Sequence, residues 1–206
     1  MKKMFRREVN RIAEVHFYLR PLLSSSLRKQ LINPDVKTIV GGYENYYDFW
    51  HGSYNDRFFD MTTMIRLGTV VENCLKYYYM TRKGHKNLID LKADPNYKKN
   101  IFQRIQNYQS DGALKIYRDA LGYELTSNPH LKSMQEAMMH RHFYAHNAGL
   151  LDDEYIDNIK KITGADLTAD PNIAVSYPHQ DTYWFEPLKN LKFFIEEARR
   201  FFAQFP

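Results

Sequence analysis

The 206-residue chain has a single cysteine, Cys74. An internal disulfide is therefore impossible, and thiol redox chemistry has no second partner. No Asn-x-Ser/Thr glycosylation sequon occurs. Uninterrupted apolar runs are only a few residues long and the mean hydropathy is −0.60, so nothing approaches the roughly 20 apolar residues a spanning helix needs. The basic start runs straight into Val9-Asn10-Arg11-Ile12-Ala13-Glu14, not into an apolar stretch with a small-residue cleavage site, so no export signal is visible. These absences predict a cytoplasmic chain without membrane association. Glycine-rich phosphate loops are missing too, which argues against a nucleotide hydrolase or dehydrogenase.

The residues that are present exclude a disordered tail, a collagen-like repeat and a coiled-coil rod: 44% are hydrophobic, 15% aromatic and 26% charged. At about 150 residues per domain the length fits a single domain over 1–206. Lysine and arginine exceed aspartate and glutamate by 29 to 24, giving +5 and a pI near 9.1. That excess mildly favours an anionic partner such as nucleic acid.

Helical spacing dominates the pattern. Phe5, Val9, Ile12, Val15 and Leu19 share one face of a helix over 3–20 that Pro21 ends. A longer helix over 57–82 carries Met61, Met64, Ile65, Leu67, Val71, Cys74, Leu75, Tyr78 and Tyr79 and should cross the core; Tyr77, Tyr78 and Tyr79 cannot all face inward. Shorter helices are expected at 97–109 and 111–121, then at 129–147 after Ser127-Asn128-Pro129, with Met134, Met138 and Met139 as core filler. Asp152-Asp153-Glu154 suits the first turn of another helix that Gly164 ends, and a last helix spans 186–202. Between 33 and 55 a Gly-, Tyr- and Asp-rich text reads as a long aromatic loop. The β-prone pieces 173–177 and 182–185 have the composition to pair as a small hairpin near the C-terminus. The expected fold class is all-α, a helical bundle with that loop and hairpin.

The densest group of titratable side chains is Met138-Met139-His140-Arg141-His142-Phe143-Tyr144-Ala145-His146-Asn147, with three of the eight histidines. His142 and His146, four apart, share a helix face as zinc-binding pairs do, but the glutamate of a His-Glu-x-x-His base is missing and further ligands are not evident, so no metal is assigned. Arg141 with His146 fits a different chemistry. A planar fixed cation suits phosphate, and an imidazole that titrates near neutrality suits proton transfer. Together they match metal-free RNA cleavage, which needs only proton shuttling and charge neutralisation at phosphorus. Five positions turn an ideal helix through about 500°, leaving the two side chains roughly 140° apart. They converge only if the helix ends between them or a second chain contributes. The bland alternative is a helix C-terminus where both side chains satisfy terminal carbonyls.

Arg141-His142-Phe143-Tyr144-Ala145-His146-Asn147 resembles the signature of HEPN-domain proteins, an arginine followed by a polar residue and then, four to six positions on, a histidine. The continuation through Gly149 to Tyr155 resembles the family's turn into its next helix, and 71–78 resembles an earlier HEPN helix with an acidic residue, here Glu72. The likeness covers about 57–163, with flanking terminal helices. It implies an all-helical domain that dimerises through the motif helices and forms a composite cleft. Many members are metal-independent endoribonucleases of toxin, phage-defence and RNA-processing systems that use no cofactor, often controlled by an antitoxin or another regulatory partner. Others are non-catalytic interaction modules. On that resemblance His146 is the general base or acid and Arg141 the phosphate clamp, with His142, Asn147 and Glu72 as supporting residues.

Overall fold

A computed structural model describes residues 2–19, 54–99, 101–106, 112–146, 151–169 and 191–206. Among these residues the regular structure is all helical: α1 (Lys2–Glu14), α2 (Tyr54–Lys83), α3 (Leu88–Ala93), α4 (Ala113–Leu121), α5 (Leu131–His146), α6 (Asp153–Thr163) and α7 (Leu191–Ala203). The expected aromatic loop lies outside the described residues except for Tyr54 and Asn55, which open α2. The expected hairpin pieces lie outside them altogether.

The 30-residue α2 is the axis of the bundle, about 45 Å long at 1.5 Å per residue. Its apolar positions Met64, Leu67, Val71, Cys74, Leu75 and Tyr78 recur three and four apart and are all buried. Helices α1, α4, α5 and α7 pack on it. Helix α5 is buried on nearly every side from Met134 to His140, because α2, α6 and α7 surround it. Each large side chain enclosed this way contributes roughly 1.5–3 kcal/mol. One continuous cluster of buried apolar side chains runs from Val9 to Phe205, so the terminal helices are part of the core.

Local chemistry sets the ends. Asp152 caps α6 by accepting the Tyr155 N–H at 2.7 Å, and Gly164 closes it at φ 80°. Asn128 caps not a helix start but the turn before α5: it accepts the His130 N–H at 3.0 Å, and its amide donates to the Phe201 carbonyl of α7 at 3.0 Å. Helix α5 therefore begins at Leu131, two residues beyond Pro129. Over the described part of 97–109 the expected helix is replaced by turns and a single 3₁₀ turn, Arg104–Gln106. There Ile101, Phe102 and Ile105 reach the core from consecutive turns, and the Gln135 side chain takes up the Ile105 carbonyl. Near the other end of the chain α1 widens into one π-helical turn, Val15–Leu19. No described helix is long and apolar enough to cross a membrane.

Candidate active site at the end of helix α5

The three motif histidines separate in space. His140 faces inward, with Nδ1 and the Tyr155 hydroxyl 2.7 Å apart, Nε2 3.6 Å from Glu136, and its ring edge-on to Phe194. It ties α5 to α6 and α7 and is a core residue. His142 and His146 are exposed on the last turns of α5, their ring centroids 4.6 Å apart. The pKa of His142 is lowered, first by partial burial, then by the positive charge of His146 and Arg141, against the opposing pull of Glu154 and Asp152. His146 is the last residue of the helix.

Arg141 lies on another side of α5, against α2. Its Nη2 is 3.3 Å from Glu72 Oε2, a pair whose side chains are 21% and 12% exposed. The guanidinium Nε is fully buried and its N–H donates to no partner among the described residues. The aliphatic stem lies over Gly68, one turn before Glu72: a Cβ at Gly68 would stand 2.3 Å from Arg141 Cδ. Helix α2 thus supplies a flat seat at position 68 and an anchoring carboxylate at position 72.

The two residues at the centre of the motif do not converge within one protomer. Helix α5 continues unbroken from Leu131 to His146, so the rotation expected between positions 141 and 146 is kept. Arg141 turns to Glu72 while His146 stands beside His142. Asn147 lies outside the described residues. Glu72 of α2 meets Arg141 of α5 across the bundle. Gly68 was not foreseen; its signal was a lone glycine inside a strong helical pattern, which marks either a cost or a close approach.

A second polar cluster also escaped the sequence reading. Asp94, its side chain almost fully buried, accepts the Tyr79 hydroxyl at 2.6 Å and the Asn96 N–H at 2.8 Å, and lies 2.8 Å from His85 Nε2. Burial pushes its carboxyl up, but the bonds from Tyr79, Asn96 and His85 outweigh it and bring the pKa to about 2. This cluster fixes the turns between α2 and Tyr97. Among the described residues no group of three or more His, Cys, Asp or Glu side chains is arranged to hold a metal ion. Comparison with family models, curated proteins and solved structures finds no match to this chain.

Proposed function

We propose that the chain is a metal-independent endoribonuclease of HEPN type that works as a homodimer, in the manner of a toxin or phage-defence effector. The observation that supports this best is the seating of Arg141 by Gly68 and Glu72 while His142 and His146 stay exposed at the same helix end. Holding an arginine stem in a glycine-floored groove fixes its fork before substrate arrives, which is what charge stabilisation at phosphorus needs. A second protomer docked along α5 brings its His146 toward the first protomer's Arg141, which resolves the rotation between them.

The chemistry conserves atoms without added water. The ribose 2′-oxygen bonds to the adjacent phosphorus, its proton passes to a neutral His146, and the P–O5′ bond breaks. A protonated His146 of the other protomer gives its proton to the departing 5′-oxygen. Products are a 2′,3′-cyclic phosphate and a 5′-hydroxyl. Arg141 neutralises charge on the pentacovalent phosphorus.

A second reading is supported by the closure of Arg141 on Glu72: a guanidinium already paired is what a non-catalytic dimerisation or partner-binding module would have. Incubating purified protein with total and transfer RNA in excess EDTA separates the two. The nuclease reading expects cleavage by the wild type and none by Arg141→Ala or His146→Ala. Cleavage surviving in both variants overturns the residue assignment.

A further inference from the structure

A belt of arginines crosses α1 and draws on helices far apart in sequence. Arg7 and Arg11 lie on the outward face of α1, whose inward residues Val9 and Ile12 are buried. On one flank Glu8 is the common partner of Arg7 at 3.8 Å, Arg11 at 3.0 Å and Arg66 of α2 at 4.0 Å. Three guanidinium groups thus share one carboxylate. On the other flank Arg199 of α7 donates through Nε and one Nη to Asn10 Oδ1, at 3.1 and 2.7 Å. Asn10 and Arg6, one turn before it, line the same depression. Arg6, Arg7 and Arg11 line one depression with Glu14, and Arg11 and Arg66 line a second with Glu8, Glu14 and Tyr18, while Arg199 joins the first through Asn10. Counted over these seven residues, five arginines and two glutamates, the surplus is +3.

The same face carries exposed aromatic surface. Tyr18 is 72% exposed and Phe17 42% exposed on the π-helical turn that continues α1. We propose that this belt is a binding surface for the phosphate backbone of single-stranded RNA, with Tyr18 as a platform on which a base stacks. Every cation of the belt is an arginine, whose planar fork matches phosphate oxygens two at a time. Rows of cations beside an exposed ring suit single-stranded nucleic acid. A lipid surface fits less well, because Val9 and Ile12 of α1 are committed to the core and only the short stretch Val15–Tyr18 offers exposed apolar side chains.

The belt is separate from the candidate active site. Arg66 and Gly68 are two residues apart on α2 and so project about 200° apart; one flank of α2 meets α1 and the other meets Arg141. The proposal rests on the nuclease reading only for its choice of RNA as the polyanion, and its test needs no cleavage.

Fluorescence anisotropy of labelled oligouridylate, in EDTA and over a salt series, is measured with the full chain carrying His146→Ala. Adding Arg6→Gln, Arg7→Gln and Arg66→Gln should weaken binding at low salt by about tenfold or more. It should also flatten the slope of log K against log salt by about 0.7 per arginine, roughly two in all. Adding Tyr18→Ala instead should weaken binding about tenfold and leave the slope unchanged. A control triple, Lys83→Gln, Lys92→Gln and Lys99→Gln, removes the same charge from other surfaces and should change little. The proposal is overturned if the parent does not bind RNA, if the belt triple binds as the parent does, or if both triples weaken binding equally. Vesicles of phosphatidylserine that bind the parent in place of RNA would also overturn it. The nuclease reading fails on a different result, intact RNA after incubation with a wild type that binds it.

Discussion

Gly68 and Arg141 share the space of a single side chain. A Cβ on Gly68 would lie 2.3 Å from Arg141 Cδ, 2.7 Å from its Cβ and 2.9 Å from its Cγ. In an ordinary helix interior glycine costs roughly 0.5–1 kcal/mol relative to alanine. Here that sign should reverse. Gly68→Ala should destabilise the fold by about 1–3 kcal/mol, because the stem of Arg141 must leave its seat or α2 and α5 must part. Thermal or urea unfolding measures it, and a stabilised variant would show that the close approach is absent.

Glu72 should matter through geometry as well as charge. Glu72→Gln keeps the shape and a hydrogen-bond acceptor for Arg141, whereas Glu72→Ala leaves a part-buried guanidinium without its counter-charge, a loss of roughly 1–3 kcal/mol. If Arg141 acts on RNA from this seat, Glu72→Ala lowers kcat about tenfold or more and Glu72→Gln less. Arg141→Lys should not substitute, because an ammonium lacks the fork. Steady-state cleavage of one RNA by the three variants decides it; equal rates would remove Glu72 from the site.

Acid should weaken the turns after α2 in a defined window. The Asp94 carboxyl sits at about 2 in the fold against an ordinary 3.8, so the folded chain binds its proton less readily than the unfolded chain. That stability is fully present above pH 4 and is lost as pH falls toward 2; the shift corresponds to about 2 kcal/mol. Asp94→Asn should remove the dependence along with the stability. Urea midpoints across that range test it, and an unchanged acid limb in the variant would contradict it.

His142 should add a milder pH dependence at higher pH. Its folded pKa lies below the usual 6.5, so below that value the unfolded chain takes up more protons and the fold loses stability as pH falls. Above it both forms are neutral and the contribution vanishes. His142→Gln should flatten the stability profile between about pH 5 and 7. A profile that is the same in both proteins would show that the ring is not held against charging.

Tyr155→Phe should cost about 1–2 kcal/mol, since it deletes the buried hydroxyl that meets His140 Nδ1. It should leave cleavage per folded molecule unchanged, because His140 faces the core rather than the exposed helix end. Activity normalised to the folded fraction measures this.

The helices with a clear apolar period were legible in the sequence: Leu67, Val71 and Tyr78 of α2 are buried where their spacing put them, and Met134, Met138 and Met139 of α5 fill the core as expected. Of the tyrosine triplet, Tyr78 and Tyr79 are buried and Tyr77 is exposed. The stretch around Ile101 and Ile105 misled because three buried apolar residues satisfy a helical spacing and a series of turns equally well. At the candidate site the cluster of motif residues was legible but not its division. Neighbouring positions on α5 face different helices, so His140 meets Tyr155, Arg141 meets Glu72 and His142 meets His146. Gly68 and Asp94 are defined by partners 73 and up to 15 positions away, contacts that no local pattern encodes.

The chemistry of the cut ends tests the central claim most directly. Fragments released from RNA in excess EDTA should carry 2′,3′-cyclic phosphate and 5′-hydroxyl termini with the wild type, and no such fragments should form with Arg141→Ala or His146→Ala. Fragments with 3′-hydroxyl and 5′-phosphate ends, or cyclic-phosphate ends that persist in both variants, would contradict an Arg141–His146 ribonuclease.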